Sequence, residues 1–414
     1  MITRIRKKID FKELIKDVNI DCLIISILCC LPMSSFIFNI NNFLPFSFFI
    51  LMIFTLIYKK EKLFNINNFK NNKIIIFFYI LIFLFMIINI FIFGLNTESL
   101  KRVLYFFVYA ILPTGILFSL YISDVKFEFV KIFRYINYFY ALFALFIYND
   151  NFWSYPIADR MPMSYYFLPL LLSVFFEVVL DKKSTIKQKC IRIAIYTIFY
   201  FPYIRFTLGF MSRGAILAFL FCVVCTILIY LNKKQRVLLL IFLIIISLIV
   251  FAFGLDILKF IHNILTELNI YIEFIEKNIR LLESNSLGNG RDVIYKNAIQ
   301  GIINSPFIGN GIGNFQIMYG TYPHNFILQM VYESGLFYTI FVSSPIFYAF
   351  FKILFNSNND IEFKCFYLFI FSLTIIRLLL SFEYWLDLFF WFCLFISLVF
   401  LIKEFKCKKV RKTL

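Results

Sequence analysis

Apolar runs of about 16 to 21 residues, close to the length at which a helix can cross a bilayer, fill most of the chain. Short polar segments separate them. The pattern predicts an all-α polytopic membrane protein with about 12 transmembrane helices. The predicted spans lie at about 22–40, 43–58, 74–94, 103–122, 135–148, 163–180, 191–207, 213–232, 237–254, 335–352, 365–382 and 386–402.

One long polar segment, residues 255–323, interrupts this pattern. The chain therefore divides into residues 1–254 with nine spans after a basic N-terminus, the loop 255–323, residues 324–402 with three spans, and a basic tail at 403–414. Within the loop, apolar spacing predicts a helix at 256–282 and a second at Arg291–Asn304. Three alternating glycines at positions 309, 311 and 313 then predict a tight turn.

The basic residues cluster between the apolar runs rather than forming one patch. The net charge is +17, which on its own suggests nucleic-acid binding, but the clusters follow the positive-inside rule. With a cytoplasmic N-terminus, most of the 41 lysines and arginines fall on the cytoplasmic side. We therefore expect no nucleic-acid partner, both termini in the cytoplasm, and residues 255–323 on the opposite side of the membrane.

Arg291 and His324 are the two candidate chemical groups of the loop. Arg291 follows Gly290 and opens a helix, where free N–H groups and a guanidinium fork both suit phosphate oxygens. A solvated arginine would give the same pattern. His324 lies at the mouth of the following apolar helix, where it can act as a base. An interfacial histidine without chemical function is the alternative.

Several ionisable residues lie within or beside the predicted spans, where charges are costly and usually functional. Their cations would form a pocket for a lipid-linked phosphate or diphosphate at the outer surface. A structural ion pair of Arg377 with Glu383 or Asp387 is the alternative. Glu177 is expected to extend toward water at a cytoplasmic helix end. The predicted cations of the pocket are Lys101, Arg102, Arg160, Arg205, Arg213 and Arg377.

Three ordered motifs resemble the O-antigen ligase and polymerase superfamily. They are FMSRGAILAF at 210–219, RDVIYKNAIQGIINSPFIGNGIGNF at 291–315, and HNFILQMVYESGLFY at 324–338. The resemblance implies a GT-C-like membrane fold and inverting, metal-independent glycan transfer without a cofactor. Its arginines correspond to Arg213 and Arg291, which hold the diphosphate, and its histidine to His324, followed by Asn325. Arg205 is an additional cation near Arg213.

The resemblance leaves open which enzyme this is. The leading hypothesis is a polymerase that transfers O-antigen or capsule repeat units from undecaprenyl diphosphate to another lipid-linked unit. The alternatives are a ligase that transfers the glycan to the lipid A core and a non-catalytic transporter (flippase) of lipid-linked glycans. We expect a bacterial inner-membrane protein with its site facing the periplasm. Its partners would be the lipid-linked oligosaccharide, membrane lipid and a chain-length regulator protein.

Overall fold

A computed structural model describes residues 19–37, 43–59, 73–123, 127–147, 164–182, 184–210, 213–268, 273–284, 290–356 and 360–413. Within these ranges every regular element is helical, which confirms the predicted all-α class. The α-helices, in chain order, are α1 Ile20–Ile37, α2 Phe43–Tyr58, α3 Lys73–Phe93, α4 Thr97–Tyr105, α5 Leu112–Ile122, α6 Phe129–Ile147, α7 Leu168–Leu180, α8 Ile186–Phe210, α9 Arg213–Tyr230, α10 Lys233–Glu267, α11 Glu273–Glu283, α12 Arg291–Asn304, α13 Asn314–Tyr319, α14 Phe326–Phe351, α15 Ile361–Leu380 and α16 Leu388–Thr413.

Six helices in the described ranges are long and apolar enough to cross a membrane. A seventh is obtained if α10, which is bent by 71° between Val250 and Ala252, counts as one span. Three apolar helices are shorter, at Ile20–Ser34, Leu44–Tyr58 and Ser164–Leu180. The protein is therefore a multi-pass membrane protein, and the count of about 12 spans stays a prediction.

Helices α15 and α16 form the centre of the bundle. In each of them 72% of the most apolar stretch is buried, against 28% in α3, whose large side chains mostly face outward. Helix α15 packs against α9 and α16, and α16 also packs against α14. Because the surrounding lipid is as apolar as the side chains, the exposed faces of α3 and α10 are typical of membrane-facing surfaces. The central position of α15 matters because its C-terminal end lies at the candidate site.

The first helix of the predicted loop is shorter than expected. The part of α10 after its 71° bend ends at Glu267 and α11 begins at Glu273, so the predicted single helix at 256–282 is wrong, while the boundary at 255 stays a prediction. Gly254 is accommodated within α10 because one glycine in a helix costs only about 1 kcal/mol. The predicted helix Arg291–Asn304 is confirmed with the same bounds. We call the residues between α10 and α14 the loop segment.

The turn at 309–313 is confirmed, and its glycines are required by geometry. Gly309, Gly311 and Gly313 all have positive φ, at 83°, 101° and 79°. This region of backbone space is readily accessible only to glycine. A Cβ on Gly309 would also lie 2.6 Å from the backbone of Glu333 in α14. The turn therefore presses its backbone directly against α14.

Helix α14 is kinked where the turn touches it. Gly335 has φ 77° and ψ 177°, which interrupts the helical hydrogen bonds. The freed carbonyl of Tyr332 accepts from Asn310 N at 2.7 Å, and that of Glu333 accepts from Gly311 N at 3.1 Å. Buried backbone groups need such partners, above all in a membrane. The backbone N–H groups of the turn thus donate to the carbonyls that the kink leaves without a partner in the helix.

Replacing Gly335 with alanine is expected to destabilise the protein by about 3 kcal/mol or more, because the strained φ alone costs up to about 3 kcal/mol. In addition, the new Cβ would lie 2.0 Å from the Phe307 carbonyl oxygen. Gly320→Ala is the matched control, since Gly320 also has positive φ but no neighbour within 4 Å. Denaturant unfolding of the purified proteins in detergent would measure the loss of stability in both variants. Equal losses in the two variants would contradict the steric account.

Glu177 does not extend toward water, which corrects the expectation from sequence. Its carboxylate is fully buried and accepts four hydrogen bonds. Arg134 Nε and one terminal nitrogen of Arg192 each donate at 3.0 Å, Asn137 Nδ2 at 2.7 Å and the Tyr196 hydroxyl at 2.8 Å. These donors come from α6 and α8, so Glu177 in α7 ties three helices together. The sequence could not show that two other helices surround this carboxylate with donors.

Glu177→Ala is therefore expected to lower the free energy of unfolding by about 3 kcal/mol, the usual cost of removing one partner from a buried ion pair. The control is Glu283→Ala, which removes an exposed ion pair with Lys259 at 2.8 Å and is expected to cost less than about 1 kcal/mol. Chemical denaturation of the two detergent-purified variants would measure the difference. A loss of stability in Glu177→Ala no greater than in Glu283→Ala would refute the conclusion that Glu177 ties three helices together.

Candidate active site at the end of α15

The C-terminal end of α15 is where the loop segment attaches to the helical bundle. The last carbonyl groups of a helix have no partner within that helix. Asn325 Nδ2 donates to the carbonyl of Leu379 at 3.3 Å, and the Tyr322 hydroxyl donates to the carbonyl of Ser381 at 2.9 Å. We call residues 379–381 the α15 end. Two side chains of the loop segment are therefore hydrogen-bonded to backbone carbonyls of the α15 end.

Arg291 reaches the same place from the N-terminus of α12. Gly290, with φ 79°, turns the chain into that helix, and a terminal nitrogen of Arg291 donates to the Leu380 carbonyl. A guanidinium carries five N–H groups, so one bond to a neutral carbonyl leaves most of its donors for another ligand. Among the described residues, no carboxylate forms an ion pair with it. Arg291 is thus held in position, and this contact uses only one of the N–H groups of its guanidinium.

His324 has an unusual backbone conformation. Among the described residues it is the one non-glycine with positive φ, at 54°. Such backbone strain costs of order 1–3 kcal/mol and is concentrated at functional sites. The imidazole lies against the Tyr322 ring, with centroids 4.2 Å apart, and its buried Nδ1 has no hydrogen-bond partner among the described residues. The side chain is therefore oriented by the protein, while its Nδ1 keeps an unused capacity for a hydrogen bond.

The surroundings of His324 favour the neutral imidazole. Burial lowers its pKa below the ordinary value, and the positive charge of Arg291 lowers the pKa further. The nearby Ser381 backbone acts to raise the pKa but is the smallest of these effects. A neutral imidazole can accept a proton, so the direction of the shift suits a base.

The first turn of α9, which begins at Arg213, lies beside the α15 end at Gly214. A Cβ on Gly214 would lie 1.9 Å from the Tyr165 hydroxyl, so α9 is packed tightly against that tyrosine. The same hydroxyl accepts a hydrogen bond from Ser381 Oγ at 3.0 Å. Arg213 itself is exposed. The Ser-Arg-Gly motif therefore has a local explanation, because glycine permits the contact that brings the first turn of α9 toward Ser381.

Arg377 lies one turn before the α15 end in an aromatic cage. Its guanidinium carbon lies 3.7 Å from the ring centroid of Phe382 and 5.1 Å from that of Tyr165, and the side chain is 6% exposed. No carboxylate among the described residues forms an ion pair with Arg377, so the alternative of a structural pair with Glu383 or Asp387 is not observed. Aromatic faces stabilise a cation without neutralising it. Arg377 keeps its positive charge beside the site.

Burial raises the pKa of Asp387 to about 6, although the nearby charge of Arg377 acts to lower it. The Asp387 carboxylate and the Arg377 guanidinium therefore influence each other without direct contact.

Arg102 is enclosed by protein groups rather than open to a ligand. It is 2% exposed and donates to Glu98, to Gln316 and, at 2.7 Å, to Glu383. Burial raises the pKa of Glu383 to about 7, against the opposing charge of Arg102. This network connects α4, α13 and the segment after the α15 end. Its neighbour Lys101 is 54% exposed and pairs with Glu98 at 2.7 Å.

Three further predicted residues complete the comparison with the sequence. The Asn325 side chain is the N-cap of α14, with Oδ1 accepting from the backbone N–H groups of Ile327 at 3.0 Å and Leu328 at 3.2 Å. Arg205 belongs to α8, and its side chain lies outside the described part of the structure. Arg160 also lies outside the described residues. Their predicted substrate contacts stay predictions.

Sequence analysis missed Tyr165, Tyr322 and Ser381, which link the predicted residues to one another. Tyr322 is two residues before His324, and that proximity was the one available signal. Burial, followed by the charge of Glu383, raises the pKa of Tyr322, so its hydroxyl stays protonated and can donate to the α15 end. Tyr165 and Ser381 come from distant parts of the chain, and nothing in the sequence relates them.

Comparison with known families gives one match. Residues 204–343 match the family model described as O-antigen ligase. The match confirms the superfamily indicated by the three motifs, and it contains Arg205, Arg213, Arg291, His324 and Asn325. It ends before α15. No curated protein and no solved structure is similar enough to the chain to be counted as a match.

Proposed function

We propose that this protein, whose residues 204–343 carry the O-antigen ligase domain, is a polysaccharide polymerase of the bacterial inner membrane. It transfers the growing O-antigen or capsule chain from undecaprenyl diphosphate to the sugar end of another lipid-linked repeat unit. The reaction takes place at the periplasmic surface, with both termini of the enzyme in the cytoplasm. A chain-length regulator protein is the expected partner of such a polymerase.

The observation that carries this proposal is the convergence of two groups on the α15 end. Arg291 donates a hydrogen bond to the Leu380 carbonyl at this end. His324 packs against Tyr322, whose hydroxyl donates to the Ser381 carbonyl. The first turn of α9, which carries Arg213, packs nearby through Gly214 and Tyr165. Together they supply guanidinium donors suited to a diphosphate and a neutral imidazole suited to a hydroxyl proton.

The proposed reaction is a single displacement at the anomeric carbon. The acceptor hydroxyl oxygen forms a bond to that carbon, while the bond from the carbon to the diphosphate oxygen breaks. The hydroxyl proton passes to the neutral imidazole of His324, and undecaprenyl diphosphate leaves with the electron pair of the broken bond. Attack opposite the leaving group inverts the configuration. No covalent intermediate or metal ion is part of the proposal, because arginines hold the negative charge.

The cations have different proposed roles. Arg291 and Arg213 hold the diphosphate, with bidentate geometry that lysine cannot supply. Arg377 adds an unneutralised charge nearby, and Arg205 and Arg160 belong to the same predicted pocket. Arg102 stabilises the surrounding structure, since protein acceptors enclose its guanidinium. Its exposed neighbour Lys101 remains a candidate for substrate contact.

A membrane-facing groove supports a lipid-linked donor. It has a volume of about 310 Å³ and is lined almost entirely by apolar side chains of α3, the π-helical segment Phe106–Ile111 and α5, together with Phe395 of α16. The groove begins at Phe106, one helical turn after Arg102, so it starts close to the site. Short π-helical segments of this kind are frequent at functional sites. A polyprenyl chain fits these surroundings.

A ligase is the second candidate function. The matched family is described as O-antigen ligase, and the spacing from His324-Asn325 to Gly335 and Tyr338 follows the pattern that favours ligases. Both enzymes would use the same donor, so the arginines and His324 cannot separate them. The acceptor decides between the two, as either the sugar end of a lipid-linked unit or the lipid A core.

Deletion of the gene, followed by a glycan gel of the surface polysaccharide, tests this proposal. Loss of a polymerase is expected to leave single repeat units on the core, and restoration of the wild-type gene should return long chains. Bare core with polymer retained on the lipid carrier would instead identify a ligase. Normal long chains attached to the core would contradict both enzymes, and intact repeat units trapped on the cytoplasmic side would indicate a transporter.

A further inference from the structure

A second cavity lies at the opposite end of the bundle from the α15 end. It has a volume of about 300 Å³, within the usual range of roughly 300–1,000 Å³ for small-molecule sites. Its walls are contributed by α1, α5, α6, α15 and α16. Lining residue Phe363 is 17 residues before Leu380 on α15, which corresponds to about 26 Å along the helix. This end of the cavity is therefore far from the α15 end, although Phe395 lines both the cavity and the groove proposed for the donor chain.

The interior of this cavity is apolar and largely aromatic. Phe366 and Phe392 are almost fully buried, and Phe129 packs beside Phe366 with ring centroids 4.9 Å apart. An apolar cavity of this kind excludes water and takes up apolar ligands. Because the surrounding medium is a bilayer, the abundant ligand of matching chemistry is the acyl chain of a lipid.

One cation stands at the mouth of the cavity. Lys403 is exposed, and its Nζ lies 5.2 Å from the ring centroid of Tyr121, another lining residue. Among the described residues, no carboxylate forms an ion pair with Lys403. The chain that follows is strongly basic, with Lys406, Lys408, Lys409, Arg411 and Lys412. Basic clusters directly beside a membrane span attract anionic lipid headgroups.

We propose that this cavity binds an anionic glycerophospholipid, with one acyl chain between the aromatic side chains and the phosphate on Lys403. The bound lipid contacts α15 and α16 at the end of the bundle opposite the candidate active site. The proposal concerns a different site and ligand from glycan transfer, so it does not depend on the proposed function. A neutral lipid would fill the same cavity without using Lys403.

Native mass spectrometry of the detergent-purified full chain tests the proposal, with phosphatidylglycerol and phosphatidylcholine of identical acyl chains as probes. Lys403→Gln is expected to lower retention of phosphatidylglycerol about fivefold, as expected for the loss of one lysine at a headgroup. It should leave phosphatidylcholine unchanged. The matched control is Lys409→Gln, which removes the same charge from further along the tail and should have little effect.

A second variant tests the acyl-chain part of the site separately. Val399→Trp fills the cavity from α16 and should lower retention of both lipids, and Ile396→Phe serves if the tryptophan variant is not obtained folded. Equal retention of the two lipids by the wild-type protein would overturn the proposal. It would also be overturned by equal effects of Lys403→Gln and Lys409→Gln, which indicate diffuse attraction to the tail. Stronger retention of undecaprenyl phosphate than of phosphatidylglycerol would overturn it as well, by identifying an isoprenoid site.

Discussion

Arg291→Lys is expected to lower the rate of glycan transfer by about 100-fold or more, the typical effect of removing one preorganised donor from a charge-stabilising site. The structure shows why lysine is the informative substitution. A lysine ammonium can still donate to the Leu380 carbonyl that Arg291 contacts, so the attachment of α12 to the α15 end is kept. It cannot present the planar fork that binds two oxygens of a diphosphate together. The loss should therefore be in transfer and not in folding.

The measurement is transfer by purified protein from an undecaprenyl-diphosphate oligosaccharide to a lipid-linked acceptor. Arg280→Ala is the matched control, because Arg280 belongs to α11 of the same loop segment, is 66% exposed and pairs only weakly with Glu276 at 3.6 Å. It should keep the wild-type rate. A wild-type rate for Arg291→Lys in folded protein would remove Arg291 from the diphosphate site.

His324→Gln is the second large expected loss. Without the base, the rate should fall by about 10²–10⁴-fold, the range for removal of a general base. The matched control is His262→Gln, since His262 is the other histidine of the chain and lies in α10, outside the site. Stability should change little in either variant. Retained activity in His324→Gln would show that another group accepts the proton.

The pH dependence gives an independent check on His324. Burial and the charge of Arg291 lower its pKa below the ordinary value, which for histidine is about 6.5. A base is active when neutral, so activity should be full at pH 7 and should fall only as the pH drops below about 6.5. A rate that instead rises as the pH falls would contradict the role of a base. The residual activity of His324→Gln should not show this fall in rate at low pH.

Local features of the site could be predicted from the sequence. The helix Arg291–Asn304 begins after a glycine and ends before a serine and a proline, and these signals lie within a few residues of its bounds. The turn at 309–313 is likewise marked by its own glycines. Arg291 and His324 were predicted as site residues from their type and position, and their roles stay predictions. Each of these predictions depends on neighbours in the chain, which is the information that a single sequence contains.

Contacts between distant segments could not be predicted. Arg102 looked like a substrate-binding cation because its partner Glu383 is 281 residues away in the chain. Glu177 looked like a surface group because its four donors come from two other helices. The α15 end had no signal at all, since its acceptors are backbone carbonyls, and backbone carbonyls are the same in every sequence. Tertiary packing alone gives these groups their roles.

Arg213 and Arg291 are proposed to act on one diphosphate, and a double-mutant cycle tests this most directly. Residues that act as a unit show strongly non-additive losses, whereas independent residues show losses that multiply. Transfer rates would be measured for Arg213→Lys, Arg291→Lys and the double variant. The double variant is predicted to be slower than the slower single variant by no more than about tenfold. A rate equal to the product of the two single losses would contradict a shared site at the α15 end.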